Sequence, residues 1–186
     1  MYAGKYSISQ PNQACVVMAS NGAVVTYDEF EGRSNQLAHL LADHGLKPLD
    51  HYAIFMENNA CYLETCAAGE RAGLYYTCIN SYLSADEMAF ILNDSESKVL
   101  ITSVDRIEVA REAIKQCRDV LLYLVVGAGD VDEPFIDYEA AILKYPTTPI
   151  RHERLGTAML YSSGTTGRPK GVLRPLADIA PDDNLP

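Results

Sequence analysis

The sequence predicts an α/β fold in which a mostly parallel sheet is flanked by helices. Short apolar runs alternate with longer segments of helical period, and that alternation is typical of βαβ units. Helix-start signals follow several of the apolar runs, and no internal repeat or low-complexity segment interrupts the pattern. The chain has 186 residues, of which 48% are hydrophobic and 22% charged, so it is long and apolar enough to form a substantial core.

A β-hairpin followed by a helix is predicted at the start of the chain. Strands are expected over residues 14–19 and 24–27, because both runs are apolar and an Asn-Gly pair between them is a strong turn signal. A helix is expected to begin at Asp28, where Glu31 three residues later completes a capping box. Its apolar residues recur at helical spacing, and Gly45 is placed to end it.

Strands and helices then alternate through the middle of the chain. Apolar runs predict strands over residues 52–56, 75–79, 98–102 and 120–126, and segments of helical period predict helices over residues 60–71, 84–93, 104–117 and 138–143. Ser84 with Glu87 forms a second capping box, and Ser103 is the expected cap of the helix that follows it. Strands that alternate with helices pair in parallel, so the helices are expected to cover the sheet.

Residues 145–149 can sustain neither a helix nor a central strand, and Pro146 to Pro149 is the predicted linker between two parts of the chain. Residues 1–149 are expected to form an N-terminal α/β subdomain. Residues 150–186 are expected to supply one further strand, a glycine-rich loop and the start of a segment that this chain does not complete.

Charge and composition argue against several classes of partner and location for this protein. The net charge of −10 argues against a nucleic-acid partner, which requires a basic surface, and against docking on an anionic membrane. No apolar run approaches the roughly 20 residues of a membrane-spanning helix, and the N-terminus lacks the apolar core of a signal peptide. The five scattered cysteines are typical of reduced thiols, and the four histidines lack the spacing of metal ligands. These features predict a cytoplasmic protein without a metal site in this portion.

A loop rich in glycine and hydroxyl residues predicts a polyphosphate site near the end of the chain. An apolar strand leads into the loop, and a lysine and a second apolar run follow it. The glycines allow successive backbone N–H groups to converge on an anion, the hydroxyls add donors with little bulk, and the lysine adds positive charge. The residues predicted to bind phosphate are Ser162, Ser163, Gly164, Thr165, Thr166, Gly167 and Lys170.

Other interpretations fit this loop less well. A Walker A loop has a serine or threonine after its lysine, where this sequence has Gly171. No G-x-S-x-G motif surrounds Ser162 or Ser163, which argues against a serine hydrolase. An ordinary surface hairpin is the remaining alternative, since these residue types are common in turns. The strand before the loop and the lysine after it favour the phosphate site.

The run from Tyr161 to Val172 resembles the signature of the AMP-forming adenylating superfamily, which includes acyl-CoA synthetases, peptide-synthetase adenylation domains and luciferases. The likeness extends upstream through residues 73–80 and 87–101, with Cys78 standing where a proline is more usual. The Met-Glu-Asn-Asn run at residues 56–59 is most similar to medium- or long-chain fatty-acyl-CoA synthetases. The chain thus resembles the N-terminal part of the large domain of such an enzyme, and residues 1–149 the N-terminal subdomain of its AMP-binding domain.

The resemblance implies an ATP-dependent ligase that converts a carboxylic acid, here expected to be a fatty acid, to an acyl-adenylate and then transfers the acyl group to CoA. ATP, Mg²⁺ and CoA are the cofactors that it implies. The residues from Ser162 to Gly167 would hold the β- and γ-phosphates of ATP, with Lys170 balancing their charge. The family's adenine contacts and catalytic lysine belong to later segments, so no catalytic residue is assigned in this portion. We therefore expect that this chain alone does not complete adenylation.

Two alternatives stay open at this point. One is a catalytically inactive nucleotide-binding or interaction module, and the other is an adenylating enzyme that passes the acyl group to a carrier-protein thiol. In either case an incomplete sheet would leave an apolar face uncovered, which favours self-association.

Overall fold

The computed structural model of the chain describes residues 2–162 and 168–184. Its helices are α1 Gly4–Ser9, α2 Tyr27–Asp43, α3 Tyr62–Ala72, α4 Ala85–Asp94, α5 Ile107–Ile114 and α6 Tyr138–Ile142. Its strands are β1 Ala14–Val17, β2 Val24–Thr26, β3 His51–Phe55, β4 Tyr75–Cys78, β5 Ser97–Ser103, β6 Leu122–Val126, β7 Phe135–Asp137, β8 Thr157–Ala158, β9 Leu160–Ser162 and β10 Lys170–Val172. Short 3₁₀ turns occupy Val104–Arg106 and Pro181–Asn184.

Six of the strands form one parallel sheet in the order β7-β6-β5-β3-β4-β8. Each neighbouring pair runs in the same direction. Two antiparallel hairpins, β1 with β2 and β9 with β10, lie outside this sheet. The predicted fold, a mostly parallel sheet flanked by helices, is therefore confirmed.

Helices cover both faces of the sheet, because alternate residues of each strand point to opposite sides. On one face Tyr52 and Ile54 of β3 pack in a cluster with α2, α3 and α6. On the other face Ala53 and Phe55 pack in a second cluster with α4 and α5. All four side chains are fully buried, so β3 lies at the centre of both cores.

An ion-pair cluster joins three of the helices on the first face. Arg33 of α2 donates hydrogen bonds to Glu64 of α3 at 2.7 Å and to Glu139 of α6 at 2.6 Å. The Tyr138 hydroxyl donates to the same Glu64 carboxylate at 2.8 Å. Burial raises the pKa of Glu64, and the hydrogen bonds from Arg33 and Tyr138 counter that shift by stabilising the charged form.

A second ionic network is buried more deeply. The guanidinium of Arg71, at the end of α3, has no exposed surface and forms two 2.7 Å hydrogen bonds with Glu31 of α2. It also donates to Asn35 and, at 3.4 Å, to Glu153, and it lies 5.5 Å from the centre of the Tyr2 ring. The network therefore connects the N-terminus, α2, α3 and the segment that enters β8.

The sequence misplaced the start of the first long helix. Thr26, not Asp28, is the N-cap of α2: its side chain accepts from the backbone N–H of Glu29, whose carboxylate accepts from the N–H of Thr26 at 2.8 Å. The predicted box of Asp28 and Glu31 does not form, because Glu31 points inward to the buried guanidinium of Arg71.

Ser103 stands at the predicted N-cap position, but its side chain makes no capping hydrogen bond. Its hydroxyl donates instead to Glu57, two residues after β3, and the predicted single helix divides into the 3₁₀ turn and α5. Helix α1 and strand β7 were absent from the prediction. The box of Ser84 and Glu87 is confirmed at the start of α4.

The boundary predicted after residue 149 stays a prediction. Strand β8 from the second part joins the sheet of the first part by pairing with β4. Within the described ranges, no helix combines the length and the hydropathy that a membrane crossing requires.

We predict that replacing Arg71 with methionine lowers the free energy of unfolding by about 3–5 kcal/mol, because the Glu31 carboxylate is left buried without its partner. Urea denaturation followed by circular dichroism measures the change. Lys115→Met is the matched control, since Lys115 pairs with Glu112 at the surface, and we expect it to cost less than about 1 kcal/mol. Equal effects of the two substitutions would contradict the importance of the buried pair.

Helix α2 offers a test of its observed cap. Thr26→Ala should destabilise the chain by about 1 kcal/mol, because the first turn loses a hydrogen-bond acceptor. Asp28→Ala, at the cap position that the sequence suggested, should cost clearly less in the same urea titration. A larger loss of stability in Asp28→Ala than in Thr26→Ala would indicate that Asp28 is the cap.

Candidate nucleotide-binding site

A cavity of about 430 Å³ opens at the carboxyl end of β4. This is where ligands bind in open parallel sheets, because the loops that follow the strands diverge there. Three parts of the chain form its walls: the segment after β4, one side of α4, and the hairpin of β9 and β10. The lining residues are Thr77, Cys78, Ile79, Asn80, Leu83, Glu87, Ile91, Tyr161, Ser162, Arg168 and Pro169.

Backbone hydrogen bonds fix the segment that leads into the hairpin. The amide of Gly156 donates to the carbonyl of Glu70 at 2.8 Å, and that of Met159 donates to the carbonyl of Tyr76 at 2.9 Å. Gly156 is required by this path: a Cβ atom there would lie 2.1 Å from the carbonyl oxygen of Gly69 and 2.4 Å from that of Leu74. The segment can therefore approach α3 and β4 only because residue 156 has no side chain.

Hairpin β9–β10 places the two ends of the predicted phosphate loop side by side. Ser162, the last residue of β9, pairs directly with Lys170, the first residue of β10. Both residues are exposed, so the hydroxyl and the ammonium group are accessible to a ligand. Ser162 and Lys170 therefore present one hydroxyl donor and one positive charge next to each other.

Tyr161 anchors the hairpin to the rest of the domain. Its hydroxyl donates to the carboxylate of Asp94, at the end of α4, at 2.7 Å. Burial and the hydrogen bond to Asp94 both raise the pKa of Tyr161, which keeps the phenol protonated as a donor. Opposite Tyr161 stands Gly171, and a Cβ atom there would lie 3.1 Å from the Tyr161 ring, so glycine leaves room for the aromatic side chain.

Charges of both signs border the cavity. The guanidinium of Arg168 lies 5.4 Å from the centre of the Phe90 ring on α4, a cation–π distance. Hydrogen bonds from the Ser84 hydroxyl and backbone N–H lower the pKa of Glu87, so that carboxylate is ionised. An anionic ligand is therefore favoured at the side of the cavity lined by Arg168, away from Glu87.

The structure brings together only some of the predicted site residues. Ser162 and Lys170 are adjacent, whereas Ser163, Gly164, Thr165, Thr166 and Gly167 lie outside the described residues. Phosphate binding by all seven therefore stays a prediction. Asn80 and Asp94 were missed by the sequence analysis, since their positions near the hairpin depend on contacts between distant parts of the chain.

The comparison with known proteins bears on this geometry. Residues 7–180 match the model of the family described as AMP-binding enzyme. The chain belongs to that family. The resemblance inferred from the phosphate loop is therefore confirmed, and it extends over nearly the whole sequence.

Several curated relatives of the chain are CoA ligases. A 3-oxocholest-4-en-26-oate–CoA ligase of Rhodococcus rhodochrous is 31% identical over 166 residues, which cover 85% of this chain and 30% of that protein. The human protein named acetyl-coenzyme A synthetase 2-like, mitochondrial, is 32% identical over 169 residues, which cover 80% of this chain and 24% of that protein. The chain thus spans about a quarter to a third of the length of these relatives.

Similarity to solved structures supports the same fold. The anthranilate–CoA ligase AuaEII, crystallised with anthranoyl-AMP, superimposes with a TM-score of 0.82 at 21% identity. The match covers 91% of this chain and 33% of that protein. The parallel sheet and its flanking helices therefore have the same fold as that ligase.

Gly156→Ala should detach the strand that carries the site. We predict a loss of about 3 kcal/mol in the free energy of unfolding, because the new methyl group overlaps two carbonyl oxygens that belong to the backbone. Hydrogen–deuterium exchange should show lost protection at the amides of Thr157 and Met159, which bond to the main sheet.

The control for this substitution is Gly129→Ala. A Cβ atom at Gly129 meets no neighbour, and only its positive φ of 68° is strained, so we expect a cost of about 1–2 kcal/mol with the two amides still protected. Unchanged protection in Gly156→Ala would show that the close approach is not required.

Proposed function

We propose that this chain supplies the phosphate-binding part of an ATP-dependent acid–CoA ligase. The observation that carries the proposal is the pairing of Ser162 with Lys170 at the carboxyl edge of a parallel sheet, in a chain of the AMP-binding enzyme family. A hydroxyl donor and an ammonium group held together at this edge suit the terminal phosphates of ATP.

In the proposed reaction a substrate carboxylate attacks the α-phosphorus of ATP, which gives an acyl-adenylate and pyrophosphate. The thiol of CoA then attacks the acyl carbon and releases AMP. The part of this chain is to hold the leaving pyrophosphate: Lys170 balances its charge, and Ser162 donates a hydrogen bond to a phosphate oxygen. Arg168 lines the same cavity and is placed to add a second positive charge.

Magnesium enters this proposal as the counter-ion of ATP. Across residues 2–162 and 168–184, no cluster of three or more histidine, cysteine, aspartate or glutamate side chains forms a metal site. Ser162 and Lys170 are proposed to contact the phosphates, whose charge magnesium would also balance when it is bound.

A fatty acid is the proposed substrate. The Met-Glu-Asn-Asn run at residues 56–59 supports this choice, because it resembles fatty-acyl-CoA synthetases. The names of the two curated relatives refer to acids of very different size, 3-oxocholest-4-en-26-oate and acetate. A panel of acids from acetate to long-chain fatty acids therefore tests the substrate class.

A cytoplasmic location and self-association stay predictions.

ATP-dependent chemistry is tested by acid-dependent exchange between ATP and labelled pyrophosphate. The 186-residue chain is assayed beside a longer chain that adds the segments present in its relatives. Exchange in the longer chain with a fatty acid would support the proposal. ATP binding without exchange in either chain would favour a non-catalytic module, and exchange without acyl-CoA formation would favour a carrier-protein thiol as acceptor.

Lys170→Ala should weaken the binding of ATP by the longer chain about tenfold, equivalent to about 1.4 kcal/mol, because one positive charge near the phosphates is lost. Isothermal titration calorimetry measures the affinity. Lys144→Ala removes an equal charge from an exposed position after α6 and should leave the affinity unchanged. Equal affinities of the two variants would exclude Lys170 from the phosphate site.

A further inference from the structure

Two cysteines from different elements come into contact beside the candidate site. Cys66 lies on α3 and Cys78 ends β4, and their sulfur atoms are 3.8 Å apart. All five cysteines of the chain are free thiols. The contact arises because α3 packs back against the strand that follows it, so the spacing of twelve residues gave no sign of it.

The two thiols have opposite electrostatic surroundings. A hydrogen bond from Cys66 lowers the pKa of Cys78, and a second one from the Tyr62 hydroxyl adds to this effect against the opposing influence of burial. The same hydrogen bond, together with burial, raises the pKa of Cys66. The contact of the two sulfur atoms therefore favours the thiolate form at one of them, as in a pair with an attacking and a resolving thiol.

The other three cysteines have no such arrangement. Burial raises the pKa of Cys15, that of Cys61 to about 12 and that of Cys117 to about 11. Cys61 does contact Arg33, but that guanidinium is already paired with two carboxylates. Cys78 is thus the thiol of this chain that is best prepared to react as a nucleophile.

Cys78 is also accessible to small molecules. It lines the cavity of about 430 Å³ that contains Ser162, and it lines a second one of about 330 Å³ together with Tyr62 and Tyr82. Both cavities are large enough to admit water and hydrogen peroxide. Residue 78 therefore borders both cavities, and its side chain lies on the α3 face of the sheet, partly buried against the first core.

We propose that Cys66 and Cys78 form a redox-active dithiol, which hydrogen peroxide oxidises to an intramolecular disulfide. In the first step the Cys78 thiolate attacks one oxygen of peroxide, the O–O bond breaks, and Cys78 sulfenic acid and hydroxide form. In the second step the Cys66 sulfur attacks the sulfenic sulfur, the S–O bond breaks, and the leaving hydroxide takes the Cys66 proton to become water. The hydroxide from the first step takes up the proton that Cys78 released on ionising. In total the two thiols lose two electrons and two protons, and peroxide is reduced to two molecules of water.

The geometry is close to that of the product. The sulfur atoms must approach from 3.8 Å to the bond length of about 2.05 Å. Rotation of the two side chains can supply this movement, because both residues are only partly buried. The proposal does not depend on the ligase activity, since it concerns thiols that the reaction does not use.

The test maps the cysteines of the full chain after treatment with hydrogen peroxide. Free thiols are blocked with N-ethylmaleimide, and tryptic peptides are analysed by mass spectrometry without reduction. We expect the peptide of residues 34–71 to be linked to that of residues 72–98, with the Cys117 peptide still carrying maleimide. Oxidation of Cys117 before Cys78, or sulfinic acid at Cys78 without the link, would overturn the proposal.

Variants identify the partner of Cys78, because the first peptide contains both Cys61 and Cys66. Cys61→Ser should retain the link, and Cys66→Ser should lose it and leave a sulfenic acid that dimedone traps at Cys78. Tyr62→Phe should slow the reaction with peroxide several-fold, since the thiolate loses a hydrogen-bond donor. Loss of the link in Cys61→Ser, or its persistence in Cys66→Ser, would overturn the assignment, and the mapping of the unmodified sequence does not depend on how the variants fold.

Discussion

The guanidinium of Arg71 is completely buried, and much of the arrangement around the candidate site follows from the partners of its two terminal nitrogens. Its Nε has no hydrogen-bond partner among the described residues. Removal of a charge from water costs several kcal/mol unless ionic and hydrogen-bonding partners surround it. Here the partners come from parts of the chain far apart in sequence: Glu31 and Asn35 on α2, Glu153 before β8, and the ring of Tyr2. The need to enclose one cation therefore fixes the positions of three segments. Because the backbone carbonyls of residues 70 and 71 also accept hydrogen bonds from Gly156 and Arg154, the same few residues guide the chain toward the hairpin.

Rigid support of this kind suits a loop that must hold a highly charged ligand. Binding energy is lost when a site must become ordered as the ligand arrives, so a hairpin fixed in advance retains more of it. Hydrogen bonds from β8 to β4 and from Tyr161 to Asp94 attach the β9 side of the hairpin to the sheet and to α4. The side chains of Ser162 and Lys170 stay free to meet a ligand, whereas the backbone that carries them is attached to the sheet.

Local signals in the sequence predicted most of the central strands and helices, but few of the contacts between residues that are distant in sequence. The apolar runs of β3 to β6 and the capping box of Ser84 and Glu87 depend on neighbouring residues, and these were predicted from the sequence. The cap of α2 was not, because the inward role of Glu31 depends on Arg71, forty residues away. In the site, the motif identified Ser162 and Lys170. Nothing near Asp94 indicates that it holds Tyr161, and nothing in the spacing of the cysteines indicates the contact of Cys66 with Cys78.

The order of strands has a consequence for how such a chain can diverge. Strands β3 to β7 pair with one another, β8 is added at the edge beside β4, and the hairpin that follows is bonded internally. The position of the hairpin therefore depends on the sheet to which it is attached. A change in β3 disturbs scaffold and ligand contacts together, whereas a change at the exposed Ser162 or Lys170 alters mainly what is presented to the ligand. Natural variation can thus remodel the ligand-facing segment while the sheet beneath it keeps its fold.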